Sequence, residues 1–336
     1  MTPRHAQGER IGVVGAGAWG TALAQMLAAD GRAVLLWARE PELVEDVNRR
    51  HRNPLFLPSA SLAPSIRATG DLAEAAHCAI LLLVTPAQHL AATLDGMPAF
   101  PRDLVLCAKG IEAESGRMMH EVAGDAAPAS EIAVLSGPTF AHEVAAGLPT
   151  AVTLACGGGE AQWQRLAPAI ARPRFRPYYS DDLIGAEVGG AVKNVLAIAC
   201  GVVDGLGLGQ NARAALIARG YAEMQRFGEA LGAERATLAG LCGLGDLVLT
   251  CSSTASRNFS LGKALGEGGD PEALMSDRRT VAEGAHTAPV LARLAARHGV
   301  EMPIVDAVNR LLAGAPAREV AEALLARPLT AEGASA

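Results

Sequence analysis

The chain has 336 residues, half of them hydrophobic, which is enough for two domains with a sizeable core. Its formal net charge of -6 and its scarcity of aromatic residues argue against a nucleic-acid-binding protein. The amino terminus has no apolar segment of the kind found in secretory signals, and the longest uninterrupted apolar run, 78–84, is too short for a membrane span. Six cysteines without a CxxC pair indicate buried thiols in a reducing compartment. We therefore expect a cytoplasmic protein that neither spans a membrane nor binds nucleic acid.

Short apolar runs alternate with helical patterns through the first half of the chain. Strands are predicted at 11–15, 34–37, 80–84, 104–107 and 132–135. Helices are predicted at 19–30, 41–50, 71–77, 87–94 and 117–124. Two further strands, 150–155 and 175–179, flank a helix at 160–170. This alternation predicts an α/β fold with a Rossmann-like, doubly wound parallel sheet.

The pattern becomes mostly helical after residue 180. Helices are predicted at 186–203, 212–231, 258–265, 288–298 and 305–312, with glycines and short polar turns between them. The sequence therefore predicts that an all-α C-terminal domain follows the sheet. We expect residues 1–182 to form a dinucleotide-binding domain and residues 183–336 a helical substrate-binding domain.

The motif GAGAWG at 15–20 follows the first predicted strand and opens the first predicted helix. In such a motif Gly15 permits the tight turn, Gly17 lets the backbone approach a pyrophosphate, and Gly20 allows the helix to pack closely on the strand. The helix amino terminus offers unpaired N–H groups to the phosphates. A tight turn without a ligand is the alternative, but the strand–turn–helix context favours a dinucleotide.

The residue that follows the second predicted strand bears on the choice of cofactor. Arg39 stands where an NAD-binding chain would carry an acidic residue, and an arginine there can pair with a 2′-phosphate. The neighbouring Glu40 weakens the positive field, and a solvated arginine at a strand end is the alternative interpretation. NADPH is therefore the favoured cofactor, with NADH kept as an alternative.

Two lysines are candidates for chemistry. Lys109 stands just after the predicted strand 104–107, where ligands of open α/β sheets bind, although a surface lysine would occupy the same position. Lys193 lies alone among small and apolar residues of a predicted helix. A lysine there must reach water, pair with a carboxylate or act in catalysis, and partial burial would suit a general acid–base role. Asp246 is a plausible partner for Lys193, with a helix cap or turn residue as the alternative.

The segment 244–262 is too polar to be a core segment. Ser256, Arg257 and Asn258 in this segment combine a hydroxyl, a guanidinium and an amide, a set of donors suited to a phosphate. The sequence has no HExxH, P-loop or GxSxG motif, and its eight histidines are scattered. We therefore expect a phosphorylated small-molecule substrate, no metal site and no histidine-based hydride transfer.

Seven ordered motifs between residues 10 and 325 resemble one family, the bacterial-type NAD(P)-dependent glycerol-3-phosphate dehydrogenases. The motifs are GAGAWGTALA, NPLFLP at 53–58, AKGIE, SGPTFAHEVA, GGAVKNVLAIACGVVDGLGLGQNARAALIARG, GLGDLVLTCSSTASRN and VAEG. The resemblance implies reversible hydride transfer between NAD(P)H and dihydroxyacetone phosphate, giving sn-glycerol 3-phosphate for phospholipid synthesis. A homodimer is the family expectation.

The resemblance also implies roles for individual residues. Lys193 would be the proton donor and acceptor at the C2 oxygen of the substrate. The substrate site would be completed by Lys109, Gly137, Thr139, Asp246, Ser256, Arg257 and Asn258. The cofactor contacts would be Ala18, Trp19, Arg39, Lys109, Ala141, Arg257, Val281 and Glu283, in addition to the glycine turn.

Two other functions remain open at this stage. Reductases of the β-hydroxyacid dehydrogenase and ketopantoate reductase kind also pair a nucleotide-binding domain with a helical domain and a lysine, and arginine binds carboxylates as well as phosphates. A non-catalytic NADPH-binding sensor would keep the glycine turn and lose the lysine. The presence of Lys193, Asp246 and Arg257 together favours an enzyme.

Overall fold

The structure, a computed structural model, describes residues 11–99, 101–276 and 282–328. Within these ranges the chain forms two compact units. The first unit comprises the described residues up to Ala108 together with Met118–Leu183. The second comprises Lys109–Arg117 and the described residues from Ile184 onward. The short segment Lys109–Arg117 thus packs with the helical unit, although it lies between two parts of the first unit in the sequence.

The first unit is built on an eight-stranded sheet and a small separate hairpin. Its strands are β1 (Ile11–Val14), β2 (Val34–Trp37), β3 (Arg52–Asn53), β4 (Leu57–Ser61), β5 (Ile66–Thr69), β6 (Ile80–Leu83), β7 (Asp103–Leu106), β8 (Glu131–Ser136), β9 (Thr150–Cys156) and β10 (Phe175–Ser180). The sheet order is β10-β9-β8-β7-β6-β1-β2-β5, and β3 pairs with β4 in the hairpin. The chain leaves β1 toward β2 on one side and later returns to β6 on the other, so β1 lies at the point where the strand order reverses.

Seven α-helices lie among the described residues of this unit. They are α1 (Ala18–Leu27), α2 (Pro41–Arg50), α3 (Leu72–Ala75), α4 (Leu90–Asp95), α5 (Met119–Ala126), α6 (Ala141–Ala145) and α7 (Gly159–Ile170), with a 3₁₀ turn at Ala87–His89. The apolar strands predicted from the sequence are buried, and Ile11–Val14 and Ile80–Leu83 are buried at every position. The predicted Rossmann-like fold class is confirmed.

One junction of the sheet departs from the predicted parallel arrangement. β9 runs antiparallel to β8, whereas every other neighbouring pair in the sheet is parallel. The connection from β8 to β9 is the segment 137–149, which contains the five-residue helix α6. Gly137 has a φ of +157°, and a Cβ there would lie 2.9 Å from the Cα of Val152 on β9. The lack of a side chain at Gly137 therefore lets the backbone after β8 pass close to β9.

The described secondary structure of the second unit is entirely helical, as predicted for the C-terminal domain. Its helices are α8 (Leu183–Gly205), α9 (Gly209–Leu231), α10 (Arg235–Ala239), α11 (Asp246–Cys251), α12 (Arg257–Gly266), α13 (Pro271–Ser276), α14 (Glu283–Arg297), α15 (Pro303–Leu312) and α16 (Ala317–Leu325). A π-helical segment, Leu241–Gly245, leads directly into α11.

The long helix α8 forms the centre of this unit. By length and composition it could cross a membrane, but 94% of its most apolar window is buried inside the fold. Glycines bring α12 against it: a Cβ at Gly262 would collide with the carbonyl oxygen of Ile198, and one at Gly201 with that of Phe259. The backbones of α8 and α12 are therefore in direct contact, a spacing that side chains would not allow.

Candidate active site

The glycine turn between β1 and α1 has the geometry that a dinucleotide site requires. Gly15 adopts a φ of +112°, and a Cβ there would lie 2.9 Å from the carbonyl oxygen of Val84. A Cβ at Gly20 would collide with the carbonyl oxygen of Gly15, whereas one at Gly17 would meet no atom within 4 Å. No side chain caps α1 at Gly17, so the amino end of the helix is open to an anion. Ala18 and Trp19 form its first turn.

Two buried hydroxyl groups near the carboxyl ends of the strands support the same interpretation. Thr85 follows β6, and Ser136 is the last residue of β8. Both side chains are buried, and neither hydroxyl has a hydrogen-bond partner within the described part of the chain. Such groups cost free energy unless a ligand or water satisfies them. This edge of the sheet therefore fits a dinucleotide, whose ribose and amide groups would supply partners.

Arg39 follows β2, as the sequence predicted, and its side chain is 80% exposed. Its guanidinium donates hydrogen bonds of 3.1 and 3.3 Å to Oε1 of Glu40. The arginine is accessible to a 2′-phosphate, but Glu40 competes for it. The weakening of the positive field that the sequence suggested thus has a direct structural basis.

A compact charge cluster lies within the helical unit. Lys193 of α8 and Lys109 both contact Oδ2 of Asp246, the first residue of α11; Lys193 forms a close ion pair and Lys109 lies at 3.2 Å. The Asp246 side chain is fully buried, and the side chains of Lys193 and Lys109 are 5% and 17% exposed. The structure thus forms the pair of Lys193 and Asp246 that the sequence suggested, and adds Lys109 to it. The two lysines are therefore not surface residues, and Asp246 is an ion-pair partner rather than a helix cap.

The position of Lys109 depends on the segment that follows it. Arg293 of α14 donates a 2.7 Å hydrogen bond to the carbonyl oxygen of Ala113, and Arg297 donates one of 3.3 Å to that of Ser115. These bonds fix the segment Lys109–Arg117 against α14. The lysine therefore reaches Asp246 although it follows a strand of the other unit in the sequence.

Thr250 belongs to the same cluster and was not identified from the sequence. Its hydroxyl accepts a 3.2 Å hydrogen bond from Nζ of Lys193 and donates one of 2.6 Å to the main-chain carbonyl oxygen of Asp246. It lies one helical turn after Asp246, so both residues share a face of α11. The spacing of four residues from Asp246 was the only sequence signal for Thr250, and the sequence of a polar segment does not show which group a hydroxyl will contact.

Burial and neighbouring charges give the two lysines different pKa values. Burial lowers the pKa of Lys193 to about 7, because the attraction of Asp246 only partly offsets desolvation and Lys109 repels the charged form. Burial also acts to lower the pKa of Lys109, but the attraction of Asp246, the hydrogen bond with Lys193 and the attraction of Glu283 together more than offset this effect, and the pKa is raised. Two cations therefore share one carboxylate, and the more buried of them exchanges its proton near neutral pH.

The predicted phosphate-binding residues lie together at the amino end of α12 but differ in their contacts. The Ser256 hydroxyl accepts a 3.3 Å hydrogen bond from the main-chain N–H of Phe259 and so caps the helix. The Asn258 amide is buried; it donates to Oδ1 of Asn194 at 3.0 Å and accepts from the N–H of Gly284 at 2.9 Å. Arg257 is exposed. An exposed arginine in the first turn of a helix is suited to a phosphate, while Ser256, which caps the helix, and Asn258 position this end of α12.

Asn194 is a second residue that the sequence analysis missed. It directly follows Lys193 on α8, and its contact with Asn258 joins α8 to the amino end of α12. Through Asn258 it is also linked to Gly284 of α14. An asparagine beside a lysine gives no sequence signal of this contact, because its partner lies far along the chain.

The remaining predicted residues that the structure describes lie in the loop after β8 and at the starts of α6 and α14. Gly137 and Thr139 belong to the loop after β8, where the Thr139 hydroxyl donates to the carbonyl oxygen of Gly137 at 3.3 Å, and Ala141 begins α6. Glu283 begins α14; burial raises its pKa, although Arg257, Lys109 and Lys193 attract its charged form. Val281 lies outside the described residues. Within the described ranges no group of three or more histidine, cysteine or acidic side chains could hold a metal ion.

A Rossmann-type sheet with an open glycine turn, together with a buried lysine–carboxylate cluster in a helical unit, defines the class of two-domain NAD(P)-dependent dehydrogenases. The models of the NAD-dependent glycerol-3-phosphate dehydrogenase family match residues 10–162 with the amino-terminal part and 182–322 with the carboxy-terminal part. The chain belongs to this family. This membership confirms the resemblance to glycerol-3-phosphate dehydrogenases and decides against the β-hydroxyacid dehydrogenase and ketopantoate reductase kind.

Individual relatives are similar in sequence to this chain over nearly its whole length. A protein of Erythrobacter litoralis named glycerol-3-phosphate dehydrogenase (NAD(P)+) is 72% identical over 322 residues, covering 96% of this chain and 97% of that protein. One of the same name from Novosphingobium aromaticivorans is 72% identical over 323 residues, covering 96% and 98%. The crystal structure of glycerol-3-phosphate dehydrogenase from Coxiella burnetii aligns with a TM-score of 0.90 at 38% identity, covering 95% and 99%.

Proposed function

We propose that this chain transfers a hydride reversibly between NAD(P)H and dihydroxyacetone phosphate, with sn-glycerol 3-phosphate as the reduced product. The observation that carries the proposal is the contact of Lys193 and Lys109 with one buried carboxylate, that of Asp246. The relatives that are 72% identical carry the name of this activity. The product is a precursor of glycerophospholipids, and we assign the chain to their synthesis.

The cofactor is NADPH in this proposal, with NADH as an alternative. It is bound mainly by residues 1–182, and when bound the nicotinamide supplies or accepts the hydride. The open amino end of α1 receives the pyrophosphate, and Arg39 receives the 2′-phosphate. The proposed contacts are Gly15, Gly17, Ala18, Trp19, Gly20, Arg39, Lys109, Ala141, Arg257, Val281 and Glu283.

The substrate is held mainly by residues 183–336. Arg257 and the amino end of α12 bind the phosphate, which lies far from the reacting carbon and serves to orient it. Lys109 contacts the substrate oxygens. The proposed substrate residues are Lys109, Gly137, Thr139, Asp246, Ser256, Arg257 and Asn258.

Lys193 is the proposed catalytic acid and base. Negative charge develops on the C2 oxygen as hydride reaches the carbonyl carbon, and the Lys193 ammonium both stabilises that charge and delivers a proton to it. A pKa near 7 lets the same amine take the proton back in the reverse direction. Asp246 and Thr250 hold the amine in place.

The proposal also includes the cellular compartment and the oligomeric state of the protein. All six cysteines are buried thiols and none forms a disulfide within the described residues, which supports a reducing compartment, and we place the protein in the cytoplasm. We propose a homodimer on the expectation from its family.

The experiment compares substrates. NADPH oxidation is measured with dihydroxyacetone phosphate and, separately, with ketopantoate and other 2-keto acids. The proposal expects turnover with the phosphorylated ketone only. Turnover with the keto acids alone would assign the chain to a carboxylate substrate, and NADPH binding without turnover of any ketone would indicate a sensor.

A further inference from the structure

Asn53 lies beneath the glycine turn of the first unit and makes an unusually complete set of contacts. Its side chain is fully buried. The amide nitrogen donates to the carbonyl oxygen of Ala16 at 2.8 Å and to the Thr21 hydroxyl at 2.7 Å. The amide oxygen accepts from the N–H of Phe56 at 3.0 Å. Both donor hydrogens and one acceptor site are used, so the amide has one defined orientation.

The contact with Ala16 acts on the centre of the turn. The Thr21 hydroxyl also donates to the Ala16 carbonyl oxygen, at 3.1 Å, so two buried donors hold this carbonyl. A trans peptide unit is planar and its C=O and N–H point in opposite directions. Fixing the Ala16 carbonyl toward Asn53 therefore turns the N–H of Gly17 the other way. The space next to Gly17 is open, since a Cβ built on this glycine would meet no atom within 4 Å.

The other contact of Asn53 joins this turn to the hairpin. Asn53 is the last residue of β3, and its bond to Phe56 closes the loop that leads to β4. The loop tip is apolar and exposed, with Leu55 at 58% and Phe56 at 41% exposure. One side chain thus holds both the carbonyl of the glycine turn and the loop of the hairpin, two segments far apart in the sequence.

We propose that Asn53 is a positioning residue for the dinucleotide: it orients the Ala16–Gly17 peptide so that the Gly17 N–H faces the pyrophosphate. This inference rests on the proposed function only in taking NADPH as the ligand. It places no atom of Asn53 on the cofactor. Its effect is on the preorganisation of the turn, and its loss weakens cofactor binding more than the chemical step.

The test uses Asn53→Ala with Asn48→Ala as the matched control. Asn48 also makes two amide–backbone hydrogen bonds in the first unit, donating to the Ala68 carbonyl oxygen at 3.0 Å and accepting from its N–H at 2.8 Å, but it joins α2 to β5. NADPH binding is measured by titration of each full-length protein, together with the KM for NADPH, kcat and thermal stability. Thr21→Val, which removes one partner of the same amide, is the milder second variant if Asn53→Ala does not fold.

The proposal expects the Kd and KM for NADPH to rise about tenfold or more in Asn53→Ala. A rise of this size corresponds to the loss of at least one well-oriented hydrogen bond. We expect kcat at saturating NADPH to change little, Asn48→Ala to bind NADPH as the wild type does, and Thr21→Val to change binding in the same direction by less. Equal NADPH affinity in Asn53→Ala and Asn48→Ala, at matched losses of thermal stability, would overturn the proposal. The readout is binding, so a wild type that bound NADPH without reducing dihydroxyacetone phosphate would contradict only the proposed function.

Discussion

The Lys193 ammonium and the Asp246 carboxylate form an ion pair in the interior of the helical unit, where the Asp246 side chain is fully inaccessible to solvent. A buried ion pair pays a desolvation cost that its attraction does not always recover, so it is weak evidence for a stabilising role. Here a second cation, Lys109, lies 3.2 Å from the same carboxylate. This surplus of positive charge is what a site for a developing oxyanion requires.

The pH dependence of the reaction should follow the protonation of Lys193. Reduction needs the ammonium form as proton donor, and the pKa is lowered to about 7 in the free protein, so kcat/KM for reduction should fall as the pH rises above about 7. Oxidation of glycerol 3-phosphate needs the free amine, so its kcat/KM should fall as the pH drops below that value. Measurements of kcat/KM against pH in both directions test this. Profiles that lose activity on the same side would contradict the assignment.

Replacement of Thr250 by valine should impair the chemical step. The hydroxyl accepts from Lys193 and donates to the Asp246 carbonyl oxygen, so its loss leaves the lysine less well oriented. We expect kcat to fall about tenfold, with little change in the KM for NADPH. Thr93→Val is the control, because Thr93 also donates to a carbonyl oxygen four residues earlier, that of His89 in the other unit. Equal kcat values in the two variants would show that Thr250 has no positioning role.

The pair Arg39 and Glu40 should set the preference between NADPH and NADH. Arg39→Asp should lower the ratio of kcat/KM for NADPH to that for NADH, because the proposed partner of the 2′-phosphate is replaced by a negative charge. Glu40→Gln should raise the same ratio several-fold by releasing the guanidinium. The two variants therefore shift the ratio in opposite directions. An unchanged ratio in Arg39→Asp would remove Arg39 from the cofactor site.

The backbone contact between α8 and α12 should make Gly262 intolerant of a side chain. A Cβ there would collide with the Ile198 carbonyl oxygen, so Gly262→Ala should lower the free energy of unfolding by roughly 1–3 kcal/mol and displace α12. Gly124→Ala in α5 is the matched control: its added Cβ lies 3.7 Å from Ile132, and helix propensity favours alanine by up to about 1 kcal/mol. Chemical denaturation of both variants tests this, and equal stabilities would contradict the described packing.

Much of the sheet could be predicted because its strands are short, apolar and buried on both faces. β1, β2 and β6 lie where the apolar runs placed them. β5 was missed because Ile66–Thr69 lies at the edge of the sheet, where an exposed arginine interrupts its apolar residues. The two-residue strand β3 was missed because pairing of that length leaves no periodic pattern.

The candidate site could be predicted where residue type alone restricts the chemistry. A lysine in an apolar helix needs a partner, and an acidic residue in a polar run can supply it, so Lys193 and Asp246 were linked before the structure. Thr250 and Asn194 could not be found in this way, because hydroxyls and amides are common and their partners come from distant segments. Asn258 was assigned to the phosphate, but its amide contacts Asn194 and Gly284, a role that only tertiary structure reveals.

The most direct test of the account is turnover by a Lys193→Ala variant beside the wild type. NADPH oxidation with dihydroxyacetone phosphate is followed by absorbance, and NADPH binding is titrated in the same preparations. The account predicts wild-type turnover, a loss of kcat of at least about a hundredfold in the variant, and unchanged NADPH affinity. A variant that binds NADPH and retains wild-type kcat would contradict the role of Lys193 as the proton donor.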